Sequence, residues 1–428
     1  MISSSVLLTL VFVAALPDGV AAPRTATGWP TFRGPGRTAV APDTGLLQSW
    51  PEAGPPLVWT AAGAGRGYGS FAIADGRMIV LGDGPSTAED ADEYLSAFEL
   101  NTGKPLWKFK TGAAWTSGSP TWQSSRATPT IDGDAVYVLT AFGDLFCVGT
   151  ADGKERWKKN LKDDFGGKKG DGWGYSESVT IDGDRLICTP GGEKSTVVAL
   201  NKKTGEAIWT CVRPGDRGAG HASIVISEIG GTRVYVQLTA AGTMGVRADD
   251  GQLLWSYEIE KTTAVAPTPI VRNDLVFFAA GYKRGGALLK QVPGPDRTVT
   301  VEEIYPITKE LANKHGGIVL VGDYLYGDSD DQGIPFCADL MTGEIKWKGR
   351  ASGSGSAAMA AADGCLYVHF ANGVMSLIKA DPAELKEVGT FKLPDAGERP
   401  GWAHPQVLDG KLYVREQDKF FCYDVRAK

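Results

Sequence analysis

Histidine is scarce in this chain of 428 residues, with only four copies. Three of them occupy matching places. His221 in Gly-Ala-Gly-His-Ala-Ser, His315 in Asn-Lys-His-Gly-Gly and His404 in Gly-Trp-Ala-His-Pro-Gln each precede a short apolar run. Glu177, in Gly-Tyr-Ser-Glu-Ser, holds the corresponding place in another such stretch. Imidazoles exchange protons near neutral pH, and a carboxylate does so when its surroundings raise its pKa, so this set is the candidate for acid–base or ligand chemistry. Tyr68, Arg126, Trp173, Tyr175 and Trp402 are grouped with them. Their aromatic faces would stack on a planar ligand or a sugar ring, and the guanidinium would pair with an anion. His369 sits inside the apolar run Leu-Tyr-Val-His-Phe and reads as structural.

Other chemistries find less support. Glu177 with His221 or His404 is the one acid–base pair worth nominating, and it would suit a carbohydrate-active enzyme. The acidic stretch Asp328-Ser-Asp-Asp-Gln-Gly offers hard oxygens for Ca²⁺, but it matches no complete EF-hand and turn chemistry explains it equally. No Ser-His-Asp order, phosphate-binding loop or dinucleotide fingerprint stands out. The six cysteines form no CxxC pair, and several occupy apolar strand positions, as small buried hydrophobes do.

The elements that must position these residues come from an internal repeat. Segments ending at Trp107, Trp157, Trp209, Trp255 and Trp347 share one pattern: a strand, an Asp/Asn/Thr-Gly turn, and a second strand carrying Trp. The Trp recurs about every 47 residues, with one member replaced by the degenerate pair around Val301-Glu302. Trp59 lies one step earlier and Phe391 one step later. Two further strands precede each such hairpin, as in Thr128-Pro-Thr-Ile-Asp-Gly-Asp-Ala-Val-Tyr-Val-Leu. Four strands per repeat and eight repeats predict an all-β, eight-bladed β-propeller of four-stranded antiparallel blades. The last repeat supplies three strands and the first supplies only a fourth. The ring is therefore expected to close by residues 56–61 pairing with 419–425, which leaves no open edge. The candidate residues precede inner strands, so they should ring one mouth of the central channel. Ligands two blades apart would be too distant to share one metal ion.

The expected division is a signal peptide over 1–22, an N-terminal extension over 23–54 and the propeller over 55–428. Val6 to Leu16 is apolar and Val20-Ala21-Ala22 offers small residues for cleavage, although the first residues carry no Lys or Arg. The run is too short to span a membrane, so a soluble periplasmic or secreted protein is expected. Net charge is −6 and the lysines are scattered, which excludes a nucleic-acid face. Departures from the repeat fall at Gly82 to Tyr94, Thr111 to Arg126, Lys162 to Gly172 (a polar, Gly-rich loop) and Gly327 to Gly333.

The Ala-x-Asn-x-x-Thr-Gly-x-x-x-Trp pattern, fullest at Trp107, Trp209 and Trp347, resembles the repeat of quinoprotein propellers, the pyrroloquinoline-quinone-like family. The opening Gly28-Trp-Pro-Thr-Phe-Arg-Gly-Pro35 resembles the start of secreted members from planctomycete-type bacteria. The resemblance implies one of two branches. One contains quinone- and calcium-dependent dehydrogenases, with an adjacent Cys-Cys disulfide, a stacked Trp, a calcium ion held by Glu, Asn and Asp, and an Asp base. The other contains cofactor-free propellers such as the assembly factor of the outer-membrane β-barrel machinery, usually a lipoprotein. No two cysteines are adjacent here, no calcium set can be placed, and no lipobox Cys is present. The expectation is an exported binding or scaffold protein, more a non-enzyme than an enzyme and without a cofactor. Its partner would be a protein or cell-envelope polymer, with a small-molecule ligand also open. The alternatives are a quinone- and calcium-dependent dehydrogenase with an atypical site, or a carbohydrate-active propeller.

Overall fold

The computed structural model describes residues 28–84, 91–397 and 399–428. The expected signal peptide lies outside the described residues, as do residues 85–90 of the Gly82–Tyr94 insertion. The described chain forms eight antiparallel sheets arranged as the blades of a propeller. The second blade shows the pattern: Thr130–Asp132, Ala135–Leu139, Asp144–Gly149 and Glu155–Asn160 run from the channel outward. The degenerate segment near Val301 is the outer strand Val299–Thr308 of the fifth blade. Among the described residues, no helix is long and apolar enough to cross a membrane.

The ring closes as expected. Leu57–Ala62 is the outer strand of the eighth blade, whose other strands are Gln406–Leu408, Lys411–Glu416 and Lys419–Asp424. Its register sets Trp59 opposite Cys422 and Ala62 opposite Lys419. All six cysteines are buried free thiols.

The repeat motif has a mechanical meaning. The outer-strand Trp of one blade lies on the turn glycine of the next. A Cβ added at Gly153 would meet the Trp107 ring at 2.7 Å, one at Gly205 the Trp157 ring at 2.9 Å, and one at Gly251 the Trp209 ring at 2.5 Å. These glycines have φ of 69°, 73° and 76°, where a side chain is already disfavoured. Each indole also donates to a carbonyl of that same turn: Trp107 Nε1 to Thr150 O at 2.9 Å, Trp157 to Lys202 O at 3.0 Å, and Trp209 to Ala248 O at 3.1 Å. In the degenerate blade the lock changes hands. Tyr305 takes the Trp place and covers Gly343, while Trp255 meets no such turn and its Nε1 has no partner.

One loop expectation needs correction. Lys162 to Gly172 does not stay a loop throughout, because Leu161–Phe165 is a short helix. Asn160 caps it, its Oδ1 accepting from the amides of Lys162 and Asp163, while Asp164 Oδ2 accepts from Asn160 N at 2.7 Å. This reciprocal capping box ends at Gly166 in the left-handed conformation.

The lock predicts a graded loss of stability. Gly153→Ala should cost about 2–4 kcal/mol, from the left-handed backbone plus overpacking against Trp107. Gly133→Ala, at φ 58° with nothing within 4 Å, should cost only about 1–2 kcal/mol. Denaturant midpoints of the two variants check the order.

Candidate functional site

The site begins with the segment 28–41, which enters the channel. The inner strands of propeller blades present unpaired backbone there, and unmet buried groups are costly. Gly28 and Trp29 pair with Ala74 and Ile73 as a fifth strand on the first blade. Pro30 O accepts from Ile131 N at 2.7 Å. Arg37 Nη2 donates to Ser178 O and Val179 O at 2.9 and 2.7 Å. Arg33 Nη2 donates to Ile318 O at 2.5 Å. Val40 then bridges to Ala361 in the seventh blade. The segment thus crosses from the first three blades to the sixth and seventh and stoppers the channel. Gly34 turns it at φ 71°, with the Trp29 ring 2.9 Å from where a Cβ would lie.

Above the stopper is a cavity of about 410 Å³. The segments that precede the inner strands build its walls, and Phe32 of the stopper lies at its base. Seven of the nine expected residues line it: Tyr68, Arg126, Trp173, His221, His315, Trp402 and His404. His315 and Tyr68 both pack on Trp402, with centroids 4.2 and 4.5 Å from its ring. Phe32 meets His404 edge-on at 4.9 Å. Arg126 Nη1 donates to Ser124 O and Trp173 O, which fixes the guanidinium in the wall.

Tyr175 and Glu177 do not line the cavity. Side chains alternate along this extended stretch, so Ser176 and Ser178 face the cavity and their neighbours face away. Tyr175 is 1% exposed and donates to Pro190 O at 2.9 Å. Glu177 accepts from Thr189 N at 2.8 Å and Thr189 Oγ1 at 3.2 Å, and burial pushes its pKa up to about 8. The nominated pair of Glu177 with His221 or His404 therefore does not assemble across the cavity.

Sequence reasoning passed over Phe32, Tyr282, Lys314 and one further group. Ser176 Oγ lies 2.5 Å from His221 Nδ1, and His221 Nε2 lies 2.9 Å from Asp171 Oδ2. Ser176, His221 and Asp171 come from two different connections, so no short motif reveals them. Burial and the nearby Lys169 hold His221 below its ordinary pKa. Burial alone would raise Asp171, but His221 and Lys169 hold it well below the usual carboxylate range. A neutral His221 then donates from Nε2 to Asp171 and accepts at Nδ1 from Ser176.

Burial and the charge of Lys314 push His315 down to about 3. Burial and Arg33 do the same to His404, whose Nδ1 has no hydrogen-bond partner. Arg126 is lowered by burial only to about 10, so it remains a cation. The cavity is therefore aromatic and cationic, with neutral imidazoles.

The carboxylates of the acidic loop do not converge on one cation. Among the described residues, no group of three His, Cys, Asp or Glu gathers to hold a metal. In the acidic loop, Asp328 accepts from the amides of Ile334 and Ala357, Asp330 accepts from Tyr282 N and Lys283 N, and Asp331 pairs with Lys314. Each carboxylate is committed separately rather than turned toward a common ion.

These features define a closed eight-bladed propeller of quinoprotein-type repeats with a ligand-sized cavity over a stoppered channel. Residues 91–349 match the family described as outer membrane protein assembly factor BamB, and the chain belongs to that family. The factor of that name from Bordetella pertussis is 24% identical over 313 residues, 71% of this chain and 70% of the relative. That from Nitrosomonas eutropha is 26% identical over 208 residues, 48% of this chain and 41% of the relative. BamB from Moraxella catarrhalis superposes with a TM-score of 0.60 at 15% identity, covering 87% of this chain and 98% of that one. Quinohemoprotein alcohol dehydrogenase from Comamonas testosteroni superposes at 0.57 and 13% identity, covering 94% and 81%. The two structures share the fold.

The histidine environments set a pH dependence. The folded pKa of His315 lies below its unfolded value, so protons favour the unfolded chain. Its stabilising contribution is full above about pH 6.5 and is lost as pH falls toward 3. Between pH 7.5 and 5, the wild type should lose about 2 kcal/mol more than His315→Gln. Paired urea titrations measure the difference.

Proposed function

We propose that this chain is an exported binding protein of the cell envelope, acting through the cavity at the mouth of its propeller. One observation carries the reading: the stopper turns a central channel into a blind cavity whose walls combine Trp173, Trp402 and Tyr68 with the fixed cation Arg126. Such a pocket favours a planar group bearing negative charge, since stacking and ion pairing act together away from bulk water. The group belongs to a small molecule, an envelope polymer or a side chain of a protein partner. A protein partner agrees with relatives named for outer membrane protein assembly. Export into the periplasm agrees with the apolar N-terminal run.

Tryptophan fluorescence titration with 2-naphthoate tests the pocket. Binding is expected, with Trp402→Ala and Arg126→Ala each weakening it at least tenfold, about 1.4 kcal/mol. Equal affinity in all three proteins would place the binding surface elsewhere.

A further inference from the structure

We propose that Ser176 is a nucleophile and that the cavity hydrolyses carboxylic esters carrying a planar group. The inference rests on the cavity being the binding site, and it goes beyond binding. Ser176, His221 and Asp171 form a continuous relay: a hydroxyl 2.5 Å from one imidazole nitrogen, and a carboxylate 2.9 Å from the other. The carboxylate and hydroxyl have exchanged ring nitrogens relative to the serine-protease arrangement. Either nitrogen of imidazole serves as base when the other carries the proton, so the chemistry is preserved.

The surroundings support the roles. Asp171 is 3% exposed at its side chain and holds the proton on Nε2. Its Oδ1 accepts from Trp173 N at 3.0 Å, so the carboxylate is itself held in place. His221 is anchored by its own amide donating to Val265 O at 2.8 Å. Ser176 and His221 both face the cavity, whereas the neighbouring Glu177 faces away. Arg126 and Lys314 line the same cavity, and their positive charge favours an anionic adduct formed within it.

In the reaction, Ser176 Oγ attacks the ester carbonyl carbon and its proton passes to His221 Nδ1. Collapse of the adduct breaks the bond to the alcohol oxygen, and the alcohol leaves with that proton. Water then attacks the acyl-Ser176, giving its proton to His221. The carboxylic acid departs and Ser176 regains its hydrogen. Ser176 and His221 are catalytic, and Asp171 is a positioning residue.

The test is phosphonylation of the folded full-length protein with an alkyl fluorophosphonate, followed by intact mass and site mapping. The expected result is one adduct, on Ser176, with fluoride released. Ser176→Ala should lose it. His221→Gln should slow it at least a hundredfold, and Asp171→Asn at least tenfold. The midpoint of the wild-type pH–rate profile should lie below 6.5, because burial and Lys169 hold His221 below its ordinary pKa. Circular dichroism checks that each variant is folded. Absence of any adduct overturns the proposal, as does an equal rate in folded His221→Gln. If the wild type binds 2-naphthoate yet takes no phosphonate, esterase chemistry falls and the binding reading stands. If it does neither, both fall.

Discussion

The contact on which the ring depends is an indole lying on a glycine of the neighbouring blade. It explains why the repeat has its particular letters. The turn needs a residue at positive φ, and the Trp of the preceding blade needs a residue with no side chain; glycine meets both demands at once. At Trp107, Trp157 and Trp209 the indole N–H also finds a carbonyl in the same turn, so a large apolar surface is buried without leaving that donor unmet. Because the partners belong to different blades, the motif encodes the angle between repeats as well as the hairpin. Tyr305 on Gly343 shows that the geometry outlasts the exact side chain.

The stopper solves a second problem of the same architecture. A propeller of eight blades leaves polar edges facing its axis. Here two arginines, 2% and 7% exposed, carry donors to backbone carbonyls of the third and sixth blades, and short strand pairings cover the first and seventh. The side chains do what a longer strand could not, since no single strand reaches opposite walls. The same segment delivers Phe32 to the base of the cavity, so satisfying the axis and shaping the site are one event.

Much of this was legible in the residues. The Trp–Gly period gave blade number, and the incomplete first and last repeats pointed to closure through Trp59 opposite Cys422. Histidines placed before inner strands indicated the mouth. What stayed hidden has physical causes. Tyr175 and Glu177 share a stretch with Ser176, and only the phase of alternation decides which pair faces the cavity. The relay of Ser176, His221 and Asp171 depends on packing two connections together. The stopper was invisible because Gly28-Trp-Pro-Thr-Phe-Arg-Gly-Pro35 has no strand periodicity; its partners are carbonyls, which any sequence provides. The short helix after Asn160 was encoded by its cap, and was lost among the surrounding lysines and glycines.

Ring closure also imposes an order in time. Phe32 emerges during synthesis some 370 residues before Trp402 and His404, which line the same cavity. The outer strand Leu57–Ala62 has no sheet to join until Lys419–Asp424 exists. The cavity is thus an all-or-none property of the finished ring, and a nascent chain lacks it. A ligand of the proposed site would meet only molecules that have completed their fold, so its binding would certify assembly.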